Sequence, residues 1–223
     1  MIKVPSTKVF RLSRGSRPWD PYRETKFRAR FDDPQKQYFV LYGSSVRLGC
    51  FLECLACFRE GPTPGLEEIL HVDDDYNVLS SGTVPPFWLR GRMIGTASVR
   101  QSFADVACME WIANLRQNDR AVKAFAACDS KEKEIDRAAL CQTSCRGFTQ
   151  TVSRIVYEYE KDQLDGIHYA SRHGSDIQNW AIFCGRAVIH PDNTVAVSEG
   201  DPDFRRACTL LNIAGPQARS AGV

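Results

Sequence analysis

The apolar positions of the chain alternate between two periods. Val9, Phe10, Arg11 and Leu12 read as a short strand, followed by a loop rich in proline and charge from Gly15 to Thr25. The run Tyr38, Phe39, Val40, Leu41, Tyr42 is continuous and rich in β-formers, so it predicts a buried strand, ended by Gly43, Ser44 and Ser45, whose hydroxyls can cap a helix. From Leu48 to Phe58 every residue but one is apolar or glycine, which predicts a helix buried on all sides with Glu53 in the interior. A loop with Gly61, Pro62, Pro64 and Gly65 comes next, then a strand within Gly91 to Val99. Helical spacing resumes from Phe103 to Leu115, with Val106, Met109, Ile112 and Ala113 as the apolar stripe and Trp111 on the neighbouring face. Further helices are expected over Asp119 to Cys128 and through Phe148, Val152, Ile155 and Tyr159. Gly166 to Arg172 reads as a strand whose Ile167, Tyr169 and Ser171 share one face, and Ala181 to Ile189 as a closing strand before a small, polar tail from Gly215.

Glu53 is the position that asks for an explanation. A carboxylate placed among apolar neighbours is costly unless a cation or hydrogen-bond donors answer it. Two readings stay open on this ground alone, a salt-bridged structural glutamate and a functional carboxylate, the second because perturbed carboxylates gather in active sites.

Composition narrows the classes. Hydrophobic residues make up 43% and charged residues 25%, the balance of a globular domain. The formal net charge of +2 comes from 29 basic and 27 acidic residues that are interspersed, which argues against nucleic acid or a membrane surface as partner. The stretch from Lys3 to Arg30 is locally basic, through Arg11, Arg14, Arg17, Arg23, Lys26 and Arg28, and either faces an anion or is solvated. No run approaches the roughly 20 apolar residues of a membrane span, and the amino terminus lacks a signal pattern, so a single cytoplasmic domain over residues 1–223 is expected.

Nine cysteines, several inside apolar runs, are read as reduced core residues. Cys54 and Cys57 form a C-x-x-C and Cys141 and Cys145 a C-x-x-x-C, but the first pair falls within the apolar helix rather than on a turn, and no metal is expected. His71, His168, His173 and His190 are too scattered to form a helix-borne metal pair. Ser171 and Ser175 lack a G-x-S-x-G elbow, and no strand leads into a Walker loop or a G-x-G-x-x-G, which removes serine hydrolase, P-loop and Rossmann readings.

The ordered set Arg30-Phe31-Asp32-Asp33-Pro34, Phe39 to Tyr42, Glu53 and Gly166 to His173 resembles the RES domain, a family named for its arginine, glutamate and serine. Arg30, Glu53 and Ser171 occupy those motif positions, Arg11 matches a further recurrent arginine, and Phe31 stands where some members carry tyrosine. The resemblance spans Val9 to Ile189, with no alignable motif between Arg100 and Gln150. It implies an α+β fold, a mixed, largely antiparallel sheet with flanking helices similar to ADP-ribosyltransferase toxins. It also implies an enzyme that uses NAD as substrate rather than cofactor, cleaving the nicotinamide-ribose bond by hydrolysis or phosphorolysis. The partners implied are NAD, phosphate as an alternative acceptor, an antitoxin protein and, in some members, further copies of the chain.

Under that resemblance Glu53, Arg30, Ser171 and Tyr42 are the catalytic set, and Arg11, Phe31 and Arg172 bind substrate. Glu53 would stabilise the cationic sugar, and Arg30 would hold diphosphate or an incoming phosphate. Tyr42 would stack on nicotinamide or bond the ribose, and Ser171 would orient the ribose or the amide. Two other outcomes remain on the sequence alone: transfer of ADP-ribose to a protein, and a binding module without catalysis.

Overall fold

The computed structural model describes residues 2–21, 29–59, 82–128, 132–141, 145–159 and 164–216. The expected loop at Gly61 to Gly65, His71, and Arg23, Lys26 and Arg28 of the basic stretch lie outside these residues, as does the tail from residue 217.

Among the described residues six strands form one mixed, largely antiparallel sheet with flanking helices, as expected: β1 (Ile2–Arg14), β2 (Val40–Ser44), β3 (Arg92–Asp105), β4 (Gly166–Ser171), β5 (Gly174–Phe183) and β6 (Ile189–Ala196). Their order is β1-β2-β5-β4-β3-β6, and β1 also pairs along β3, so the pairings close a circuit through β1, β2, β5, β4 and β3. The pairing of β3 with β4 is parallel, and the other pairings are antiparallel. The helices are α1 (Arg47–Leu55), α2 (Met109–Gln117), α3 (Asp119–Ala126), α4 (Arg137–Cys141), α5 (Arg146–Tyr159) and α6 (Pro202–Leu211).

Register explains why a site forms on one side of this sheet. Ser44 lies opposite Asn179, which lies opposite Tyr169, and Tyr42 lies opposite Ala181, which lies opposite Ile167. Side chains directly across antiparallel strands share a face, and residues two apart do as well. Tyr42, Ser44, Asn179 and Tyr169 are thereby brought together, while Leu41, Trp180 and Ile182 pack on the other side against Val9, Trp19, Ala97 and Val99.

Helix α1 crosses the site face at Gly49. A Cβ there would sit 2.2 Å from Ser44 Oγ and 2.7 Å from Ile177 Cγ2, so only glycine permits this approach. Phe51, Leu52 and Leu55 pack with Trp88 of a short 3-10 turn (Pro86–Leu89) and with Phe204, Ala207 and Leu211 of α6. Asp201 caps α6, and Arg47 of α1 pairs with both Asp201 and Asp203. Farther along the same face Phe148, Val152, Ile155 and Val156 of α5 pack with Phe31, Tyr38, Ile167 and Phe183.

Several sequence expectations are corrected. The first strand runs from Ile2 to Arg14, because almost its whole length pairs with β3. Ser44 and Ser45 do not cap α1: its N-cap is Val46 with no side-chain bond, and the two serines bond the backbone of Gln178 on β5 instead. Phe103 to Asp105 belong to β3, drawn in by parallel pairing with β4. The helix therefore starts at Met109, and its buried face is Trp111 and Leu115, while Met109 is 80% exposed. The closing strand divides into the end of β5 and the start of β6 around a turn at Gly185, whose φ is 84°.

Glu53 is not in the interior. Helix α1 buries Gly49, Cys50, Phe51, Leu52 and Leu55 but leaves Glu53 and Cys57 on an open side, with the Glu53 side chain 34% exposed. An apolar circumference here serves two packing partners, the sheet and α6, and stops short of enclosing the third side.

Candidate active site

The open side of α1 faces a cavity of about 450 Å³. Glu53 and Cys54 come from α1, Tyr42 and Ser44 from β2, Tyr169 from β4, Asn179 from β5, and four arginines, Arg11, Arg30, Arg146 and Arg172, complete the polar lining.

The carboxylate is held on one oxygen. Ser171 Oγ donates to Glu53 Oε1 at 2.7 Å and Asn179 Nδ2 donates to the same atom at 2.8 Å. Ser171 Oγ in turn accepts the backbone N–H of His173 at 3.1 Å, so the hydroxyl is used on both sides. Glu53 Oε2 has His173 Nε2 at 3.9 Å, beyond hydrogen-bonding reach. Burial lowers the affinity of the His173 imidazole for a proton, with neighbouring Glu53 opposing and Arg172 and Arg59 reinforcing the effect. Among the described residues Glu53 therefore has one fixed oxygen and one without a hydrogen bond.

The Tyr42 hydroxyl is committed to protein partners, where a bond to ribose was one of the two roles expected of this residue. Its OH donates to Asp32 Oδ1 at 2.9 Å and accepts the Phe31 N–H at 2.9 Å, which pins the 29–33 segment to β2 and leaves the ring toward the cavity. Burial, and after it the Asp32 charge, raises the pKa of that phenol well above its ordinary value, so it stays protonated. Burial likewise raises the Asp32 carboxyl, against the pull of the Ala29 N–H and the Tyr42 hydroxyl.

The arginine wall retains donors. Arg30 Nη2 donates to the Leu140 carbonyl, and its guanidinium lies 5.1 Å from the centres of both the Phe31 and Tyr169 rings, a cation-π setting that fixes its plane. Its Nε is buried with no acceptor among the described residues. Arg11 donates to Pro18 O at 2.6 Å and to Tyr42 O at 3.1 Å, tying β1 and β2 to the loop between them. Burial depresses the pKa of Arg11 and of Arg146, the latter countered by Tyr42 and Asp32. Four guanidiniums against one carboxylate make the cavity a setting for a multiply charged anion.

Of the expected residues, Arg11, Arg30, Tyr42, Glu53 and Arg172 line this cavity, and Ser171 reaches it through Glu53. Phe31 does not: it is fully buried in the core beneath Arg30, where it supports the guanidinium and cannot touch a ligand. Asn179 and Arg146 were not anticipated. Asn179 could have been found as the polar residue that leads into the apolar Trp180 to Phe183 run, whereas Arg146, the first residue of α5, carries no local signal.

None of the nine cysteines is in a disulfide; Cys50, Cys145 and Cys208 are buried, Cys57 is exposed. Among the described residues no cluster of His, Cys, Asp and Glu has the arrangement of a metal site, and no helix is long and apolar enough to cross a membrane.

No family model matches the sequence, and no curated protein does either. Among solved structures the chain is similar to a protein of the M. tuberculosis MbcT-MbcA toxin-antitoxin complex, at 9% identity with a TM-score of 0.50, covering 92% of this chain and 89% of that one. The likeness is one of fold, and it extends over nearly the whole of both chains.

Proposed function

We propose that this chain is a RES-type enzyme that consumes NAD, breaking the nicotinamide-ribose bond and passing ADP-ribose to water or phosphate. The observation that carries the reading is the Glu53 carboxylate, held on Oε1 by Ser171 and Asn179 with Oε2 unused among the described residues, in a cavity whose other described charged groups are arginines. The RES resemblance of the same residues supports it.

The chemistry asks for little more. As the bond breaks, nicotinamide leaves as a neutral base carrying both bonding electrons, so no general acid is required. Positive charge grows on the ribose carbon and ring oxygen, and a fixed carboxylate stabilises that charge more than it does the ground state. Water then attacks the ribose carbon and loses a proton to solvent, or phosphate attacks in its place. Arg30, with a buried N–H lacking an acceptor, supplies a donor for the diphosphate, and Arg11, Arg146 and Arg172 surround it with positive charge. Tyr42 offers a ring face to nicotinamide. No cofactor is needed.

The fold likeness to a toxin-antitoxin complex supports a biological setting in which the enzyme is a bacterial toxin that depletes NAD and an antitoxin protein covers the cavity. Incubating the purified protein with NAD, with and without phosphate and a cell extract, tests the reading. Nicotinamide release, with ADP-ribose or its 1-phosphate as co-product, is expected; label appearing on a protein would make the enzyme an ADP-ribosyltransferase instead. Absence of nicotinamide release would end the proposal.

A further inference from the structure

The Asn179 side chain is only 1% exposed, yet it lines the cavity. Its amide orientation is set by its neighbour, because an ionised carboxylate only accepts hydrogen bonds and Nδ2 must be the end that meets Glu53 Oε1 at 2.8 Å. The carbonyl end, Oδ1, is then left buried with no hydrogen-bond partner among the described residues. A buried amide oxygen without a donor is unfavourable, and folded proteins keep such groups mainly where a ligand or an ordered water completes them.

A second acceptor without a hydrogen bond among the described residues lies on the side chain that Asn179 bonds. Glu53 Oε2 has no hydrogen bond from His173, whose Nε2 is 3.9 Å away, while Oε1 is occupied by Ser171 and Asn179. Two acceptors on two side chains that are themselves hydrogen-bonded together match a ligand with two adjacent donors. A vicinal diol is such a ligand. An anionic group is not, since both positions repel it.

We propose that Asn179 is a substrate-contacting, specificity-determining residue that accepts a hydrogen bond from one hydroxyl of the nicotinamide ribose through Oδ1, while Glu53 Oε2 accepts from the adjacent hydroxyl. Asn179 thus has two tasks: Nδ2 orients the carboxylate, and Oδ1 reads the sugar. This rests on the reading of the chain as an NAD-cleaving enzyme.

The test compares NAD with two analogues in which the nicotinamide ribose lacks either the 2′- or the 3′-hydroxyl, using the full chain and its Asn179→Ala and Asn179→Ser variants. Nicotinamide release gives kcat and KM, and calorimetry gives the dissociation constant of each nucleotide. Wild type is expected to discriminate against the analogue that lacks the hydroxyl facing Asn179 by about 10- to 100-fold, the range of one hydrogen bond in a desolvated site. Asn179→Ala should be slower on NAD and should lose that discrimination, falling to within about twofold, while still discriminating against the other analogue. If Asn179 merely orients Glu53, the variants slow all three substrates equally and the discrimination persists, which overturns the inference. Should Asn179→Ala fail to fold, Asn179→Ser provides the same comparison. If wild type binds NAD without cleaving it, the enzymatic reading falls and the calorimetric discrimination decides this inference alone. If it binds none of the three nucleotides, both fall.

Discussion

On one wall of the cavity Glu53 Oε1 receives Ser171 at 2.7 Å and Asn179 at 2.8 Å, and the serine is itself braced by the His173 amide. Elsewhere in the lining Arg30 rests against the adjoining Phe31 and Tyr169 rings and donates to the Leu140 carbonyl, yet keeps a buried N–H without an acceptor among the described residues. The carboxylate wall is preorganised by donors that leave one oxygen over. The arginine wall is preorganised by packing that leaves donors over. A group meant to answer charge that develops during a reaction has to be fixed in advance, whereas groups meant to hold a permanent anion need surplus hydrogen-bonding capacity.

The largest effect should come from the carboxylate wall. Glu53→Gln keeps the shape and an acceptor oxygen but removes the charge, and kcat for nicotinamide release should drop about 100- to 1000-fold with NAD affinity changed only a few-fold. Equal release by the variant would mean that the two walls do not differ in role.

Next comes the arginine wall, with the opposite kinetic signature. Arg30→Ala removes a charge-assisted donor worth about 1.5–3 kcal/mol, so NAD binding should weaken roughly 10- to 100-fold while kcat changes less. Arg30→Lys should restore only part of the affinity, since an ammonium lacks the planar fork. Nicotinamide riboside, which has no diphosphate, sharpens the contrast: its cleavage should be nearly indifferent to Arg30→Ala and fully sensitive to Glu53→Gln.

The two walls were also unequally legible in the sequence. Glu53 stood out because it is the ionisable residue in an apolar helix, but the reason first given for it was wrong. The helix is not enclosed, and Glu53 sits 34% exposed at the mouth of a cavity rather than in the core. Strand faces were readable from alternation, as Ile167, Tyr169 and Ser171 are all buried. Asn179 gains its meaning only from register, opposite Ser44 and Tyr169, and Arg146 from how α5 packs; neither relation is local in sequence. The error at Phe103 to Asp105 has the same origin, because pairing with β4, some sixty residues away, overrides the local helical spacing.

A smaller effect should follow from disturbing the joint between the walls. Gly49→Ala would place a methyl 2.2 Å from Ser44 Oγ and 2.7 Å from Ile177 Cγ2, so α1 has to lift from the sheet one turn before Glu53. Overpacking of this kind costs about 1–3 kcal/mol, read as a melting temperature lower by roughly 2–4 °C per kcal/mol for a chain of this size. Nicotinamide release should fall along with it while the affinity for diphosphate-bearing products holds, because the lift moves the carboxylate and leaves Arg30 where it is.

The smallest effect is that of pH, and it also separates the walls, because His173 lies beside the carboxylate. Burial holds His168 and His173 below the ordinary histidine value of 6.5, with Glu53 opposing the shift at His173 and Arg172 and Arg59 adding to it. A histidine whose pKa is lower in the folded chain takes up its proton later than the unfolded chain does as pH falls. Stability from both residues is therefore complete above about pH 7 and declines as pH drops below 6.5 toward their folded values. The raised Asp32 carboxyl acts in the opposite sense. The melting temperature should thus fall between about pH 7 and pH 5, and less steeply in His168→Gln. Activity should fall over the same window through His173 alone, since its protonation places a cation 3.9 Å from Glu53 Oε2 and weakens the charge available to the sugar. NAD affinity through Arg30, which is not among the charges that shift His173, should stay level; a parallel loss of affinity and rate would show that the two walls are one electrostatic unit.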